Sequence, residues 1–116
     1  MTRRTDRVGD LLRAELSDLL AREVADPRVR LAAVTSVDLS PDLRHAIVEV
    51  SVLGSDEERE LAIGALRGAQ GFLRSRLARK VRLRVVPELQ FRLDRGSEHS
   101  QRISDLLESL HDDESA

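Results

Sequence analysis

The residues with the plainest chemistry are Arg67, Arg74, Arg76, Arg79, Lys80, Arg82 and Arg84, which lie in an interval that carries no acid between Glu60 and Glu88. The chain as a whole has a formal net charge of -2, so this run is a separated patch and not a general basic character. A guanidinium meets phosphate oxygens through two parallel N–H···O bonds, and the counterions displaced from a polyanion supply affinity. The pattern therefore points to a nucleic-acid backbone. Lys80 is the lone lysine among the cations, which coding bias explains as readily as recognition does. A smaller cluster, Arg3, Arg4 and Arg7, opens the chain. Phosphate contact and a solvated terminus suit that cluster equally.

Other chemistries find little to work with. There is no cysteine, which removes disulfides and thiolate chemistry and fits a reducing compartment. His45, His99 and His111 are far apart, and no metal-spaced cluster or phosphate-cradling Walker loop is present. No enzyme, metal or cofactor is expected. The carboxylates Asp56, Glu57 and Glu58 are accounted for by a helix start, with Ser55 capping and Glu58 completing a capping box. Phe72 and Phe91 are the only aromatics. Both are expected on apolar faces, so base stacking is expected to contribute little. No signal peptide or membrane span can be read.

At 116 residues the chain is expected to form one domain, and several elements must position the basic run. Val8, Leu11, Leu12, Leu16, Leu19, Leu20 and Val24 recur at helical spacing, with Thr5 as a candidate cap and Pro27 ending the helix. Residues 31–39 and 44–53 read as an antiparallel hairpin around Ser40-Pro41-Asp42-Leu43. Ala46, Val48, Val50 and Val52 face one way along the second strand. His45, Ile47, Glu49 and Ser51 face the other, which predicts a polar outer sheet face and a surface His45.

A helix follows Ser55, broken near Gly68 and Gly71, and continues as the basic helix. There Phe72, Leu73 and Leu77 supply the buried side, and Arg74, Arg76, Arg79 and Lys80 face solvent. A third strand is expected over 82–94, with Pro87 marking an edge or bulge. A short helix on Ile103, Leu106, Leu107 and Leu110 closes the domain. Residues 1–110 are expected to be the domain and 111–116 an acidic, disordered tail. The fold class is α+β: three strands, helices on one face, in the order α-β-β-α-α-β with the short helix appended.

That order, with its glycine break, resembles the type II KH domain. The strings themselves resemble the ribosome-binding factor A family. They are Arg7-Val8 with Leu11 and Leu12; Asp26-Pro27-Arg28-Val29; Val37 through Arg44; Ala69-Gln70-Gly71-Phe72-Leu73-Arg74; Arg84 through Asp94; and Arg102-Ile103 with Leu106-Leu107. Ordinary KH domains grip the nucleic-acid backbone with a Gly-x-x-Gly loop. The family that this chain resembles has an Ala-x-Gly kink there. Gly68-Ala69-Gln70-Gly71 spells both, and the absence of charge on Ala69 and Gln70 favours a kink at Ala69 and Gly71. Close helix packing by the glycines stays open beside it, and valine at Gly71 is expected to damage folding and binding.

The resemblance implies a cytoplasmic RNA-binding protein of ribosome biogenesis, and a monomer is expected because nothing in the sequence demands a dimer. It implies association with the free or immature small (30S) ribosomal subunit and assistance in late processing of its 16S ribosomal RNA, with ribosomal proteins as further neighbours. The alternative is a KH-like RNA-binding module or a protein-binding adaptor outside ribosome assembly.

Overall fold

A computed structural model of the chain describes residues 3–94 and 105–111. The first helix, α1, spans Arg3–Arg22. Its leucines at i, i+4, i+7 and i+8 form one stripe, and Leu12, Leu16 and Leu19 are fully buried. The stripe lies on the first strand, β1 (Ala32–Leu39), and the approach is close. A β-carbon on Gly9 would come within 2.5 Å of the Val37 carbonyl oxygen, so glycine is what allows α1 to meet the strand there. Thr5 does not cap this helix. The helix begins two residues earlier, and Thr5 is buried inside its first turns.

Between α1 and β1 the chain makes a short 3-10 turn, Pro27–Val29. Asp26 holds it by accepting the Arg28 backbone N–H at 2.9 Å and the Arg28 Nε–H at 3.0 Å. These bonds, the Arg28 side chain's first, bring the Asp26 carboxyl down to about 2 against a small desolvation.

Strand β2 (His45–Val52) pairs antiparallel with β1. The register slips between Val34 and Ser36, so Thr35 is an extra residue in β1, a bulge of which the apolar alternation carries no sign. Thr35 Oγ1 donates to the Glu49 carbonyl at 3.2 Å. The hairpin turn is organised by the buried Ser40. Its Oγ accepts the His45 backbone N–H at 3.0 Å and donates to Asp42 Oδ1 at 2.7 Å. Asp42 Oδ1 also accepts the Arg44 backbone N–H at 3.1 Å, the expected bond back to its own chain. Leu43 carries the turn through a left-handed φ of 63°.

Helix α2 (Asp56–Gly68) opens on the expected capping box, with Glu58 N–H donating to Ser55 Oγ at 3.2 Å and Ser55 N–H to Glu58 Oε1 at 3.0 Å. Helix α3 (Gln70–Lys80) follows after one residue. Strand β3 (Glu88–Leu93) then pairs parallel with β2, giving the sheet order β1-β2-β3. It is shorter than expected. Residues 81–87 are irregular and Pro87, which has no N–H for a ladder, stands just before the strand.

The α+β layer and the element order are as expected. Side chains of α1, α2 and α3 join Val34, Leu39, Val48, Val50, Leu89 and Phe91 in one core on one face of the sheet. The opposite face is not simply polar. Residues 105–111 form a helix, α4, whose Leu107 is buried against Ile47 with Leu106 and Leu110 alongside. His45 and Glu49, which alternate onto the same face as Ile47, are buried too, so the expectation of a surface His45 is corrected. His111, counted in the acidic tail on charge grounds, belongs to this helix, and its Nδ1 lies 3.3 Å from Asp42 Oδ2 in the hairpin turn. Ile103 and the rest of the tail, 112–116, lie outside the described residues.

Candidate nucleic-acid interface

The junction of α2 and α3 is one residue wide. Ala69 has φ -91° and ψ 4°, and its N–H is shared between the Ala65 carbonyl at 3.0 Å and the Leu66 carbonyl at 3.1 Å. Helical geometry resumes at Gln70, whose side-chain oxygen accepts the Leu89 N–H at 2.9 Å and ties the junction to β3. Gly68 closes α2 and Gly71 lies inside α3. Neither has a positive φ, and a β-carbon at either would meet nothing within 4 Å. The kink expected at Ala69 and Gly71 sits at Ala69 alone, and Gly71 is an ordinary helical residue with no backbone conformation that requires glycine.

The cations of the basic run separate into two groups. Arg74 is turned into the protein. Its Nε donates to the Pro87 carbonyl at 3.1 Å and its terminal nitrogen to the Val86 carbonyl at 2.9 Å, bracing the irregular segment that leads into β3. Arg67 at the end of α2 donates to the Phe91 carbonyl at 3.3 Å. Lys80 Nζ lies 3.1 Å from Asp18 Oδ2 and 3.9 Å from Glu23 Oε2, and Arg76 Nε is 3.6 Å from Glu23 Oε1. Helix α1 and the residue just after it thus bring Asp18 and Glu23 alongside α3. The Lys80 hydrogen bond, before the opposing desolvation and the Arg22 charge, holds the Asp18 carboxyl below its ordinary value. The expectation that Arg74, Arg76, Arg79 and Lys80 all face solvent holds for Arg79 and for Lys80, which is exposed although ion-paired; Arg76 is half-buried beside Glu23, and the expectation is corrected for Arg74.

Arg79, Arg82 and Arg84 form the second group. All three are exposed, and among the described residues none has an acidic partner. Arg79 stands on the last turn of α3, and Arg82 and Arg84 on the irregular segment after it. Arg4 and Arg7 are exposed on the first turns of α1, where no acidic partner is found among the described residues. Arg3 begins that helix, and its side chain lies outside the described residues.

Periodicity places Phe72 on the buried side, and the structure corrects this. Leu73 and Leu77 fill that side completely, and Phe72 is 39% exposed with the Arg76 guanidinium carbon 5.0 Å from its ring centroid. A period of 3.6 puts 72, 73 and 77 within one broad arc, and only the packed structure shows where that arc ends. Sequence reasoning also missed Asp18 and Glu23 as neighbours of the basic helix. No spacing in the sequence relates them to residues roughly 60 positions later, a distance that only α1 packing on α3 closes. Among the described residues no group of three or more His, Asp or Glu could hold a metal ion, and no helix is long and apolar enough to cross a membrane.

The class this architecture defines is a small KH-like α+β domain with a one-residue interhelical kink and an exposed arginine strip. The ribosome-binding factor A family model matches residues 4–107, and the chain belongs to that family. It is 46% identical to the ribosome-binding factor A of Thermomicrobium roseum over 107 residues, 92% of this chain and 83% of that one. It is 42% identical to that of Halothermothrix orenii over 111 residues, 96% and 91% of the two chains. Among solved structures it is similar to the crystal structure of ribosome-binding factor A from Thermus thermophilus, with a TM-score of 0.72 at 32% identity, covering 80% of this chain and 98% of that one. It is also similar to a Thermus thermophilus ribosome binding factor A homology model fitted into the cryo-EM map of a complex with the 30S subunit, with a TM-score of 0.57 at 38% identity, covering 74% and 94%.

Proposed function

We propose that this protein binds the free or immature small ribosomal subunit and assists late maturation of its 16S ribosomal RNA, holding RNA phosphates with the arginines that follow and end α3. The observation that carries this reading is the exposure of Arg79, Arg82 and Arg84 in a stretch without acids, with no acidic partner among the described residues. The family membership supports the ribosome as the setting, because a relative has been fitted into a map of a 30S complex.

Arginine-to-phosphate contacts fix position and carry no base sequence, so RNA shape decides where the protein sits. Arg76 and Lys80 lend positive potential beside the strip while staying attached to Glu23 and Asp18. Arg67 and Arg74 act chiefly by holding β3 and its approach in place. Arg3, Arg4 and Arg7 supply a second phosphate contact from α1. The protein acts by binding as a monomer in the cytoplasm, and no reaction is assigned to it.

The test is sedimentation of the tagged protein through a gradient of bacterial lysate at near-physiological salt. The reading predicts recovery with free small subunits and not with translating ribosomes. Recovery mainly in ribosome-free fractions would overturn it. An adaptor outside ribosome assembly would keep its partner after ribonuclease treatment, whereas this reading predicts release.

A further inference from the structure

Phe72 is the only described aromatic ring left open to solvent, since Phe91 is buried in the core. Its surroundings are specific. Arg76 lies over the ring at 5.0 Å from the centroid, the position in which an aromatic quadrupole attracts a cation. Glu23 approaches the same guanidinium at 3.6 Å and restrains it there. Gly68 and Gly71 leave the neighbouring surface bare, with open space where a side chain would stand. Phe72, Arg76 and Arg79 fall on one face of α3 at 100° per residue, and Arg79 stands roughly 10 Å further along the helix axis.

We propose that Phe72 and Arg76 form a stacking platform for one unpaired nucleobase, with Arg79 on a phosphate of the same strand. The proposal rests on the RNA-binding reading above and deepens it. It converts a phosphate strip, which cannot distinguish paired from unpaired RNA, into a site that prefers a single-stranded segment. Unpaired bases stack on aromatic rings and on arginine planes alike, and every base has a face to offer, so the platform selects exposure of a base and not its identity. A base within a duplex cannot reach it.

The chain has no Trp and no Tyr, so Phe72→Trp introduces a single fluorophore at the proposed site. This variant is titrated with a single-stranded oligoribonucleotide and with a duplex of equal length. The proposal predicts saturable quenching by the single strand and little by the duplex. Phe72→Leu should lower single-strand affinity about tenfold and Phe72→Tyr should restore it, with duplex affinity and melting midpoint unchanged in both. Binding of the single strand without quenching, or a Phe72→Leu loss that is absent or equal for both RNAs, would overturn the proposal. So would a Phe72→Leu variant that keeps its affinity for both RNAs and loses affinity for intact small subunits, because the ring would then meet a protein. Arg79→Glu with Arg84→Glu should weaken both RNAs. If the double variant binds both as the parent does, the phosphate-strip reading and the Arg79 contact of this proposal both fail, while the quenching result still judges stacking on Phe72 and Arg76. A parent chain that binds neither RNA removes both.

Discussion

Arg74 and Pro87 stand 13 positions apart in the chain and are joined directly, Arg74 Nε donating to the Pro87 carbonyl at 3.1 Å. With the companion bond to Val86 at 2.9 Å, the guanidinium fork closes on two successive carbonyls just ahead of β3. A cation in the middle of a basic run therefore has a structural task. Arg74→Ala should lower stability by about 1–2 kcal/mol, because bonds from a charged donor are lost and two carbonyls must find water. Arg74→Lys should recover only part of this, since an ammonium cannot reproduce the planar fork. Chemical denaturation of the three proteins checks both statements.

That pair also marks where the sequence stops being informative. Local signals were legible: the leucine stripe of α1, the Ser55 capping box, the Pro41-Asp42 turn and the alternation of β2 each correspond to an element in the structure. Those features depend on neighbours within a few positions. Arg74, Arg76 and Lys80 read in sequence as cations of the same basic run as Arg79, and what separates them is which helix or loop lies opposite. The bulge at Thr35 follows from pairing register, and neither it nor the burial of His45 and Glu49 on the sheet face where α4 covers Ile47 leaves a mark on strand alternation.

The glycines give a paired test. A β-carbon at Gly9 would stand 2.5 Å from the Val37 carbonyl oxygen, and neither the strand nor α1 can move cheaply. Gly9→Ala should cost about 2 kcal/mol or more. Gly71→Ala should stabilise by up to about 1 kcal/mol, because the site is open and alanine is the better helix former. Thermal melting of the two variants should move in opposite directions.

Asp42 links stability to pH. Partial burial pushes its carboxyl up, but the bonds from Ser40 Oγ and the Arg44 N–H, with His111 adding to them, outweigh this and bring it from the ordinary 3.8 to about 2. A carboxyl depressed in the folded state contributes fully above its unfolded value and loses that contribution as protons bind the folded form. The Asp42 share of stability should therefore fade as pH drops from about 4 to about 2. Asp42→Ala should be less stable by about 1 kcal/mol at neutral pH, and the difference from the parent should shrink across that window in denaturation curves taken at each pH.

Exposed cations on RNA should produce a salt dependence that follows their number. Log–log plots of affinity for 16S ribosomal RNA against salt should slope clearly downward, and Arg82→Ala should reduce the slope by roughly 1. A flat plot for the parent would mean that phosphates are not the contact.

The most direct measurement of the central claim is co-sedimentation with purified small subunits, made on Arg79→Glu with Arg84→Glu beside the parent, with melting midpoints taken on the same samples. Both residues are exposed and have no acidic partner among the described residues, so the midpoint should stay within the range of ordinary surface changes, about 0.5 kcal/mol. The account predicts that association with small subunits falls by an order of magnitude or more at near-physiological salt. A double variant that melts like the parent and still co-sediments like it would contradict the account, because the exposed arginine strip would then not be the surface that meets RNA.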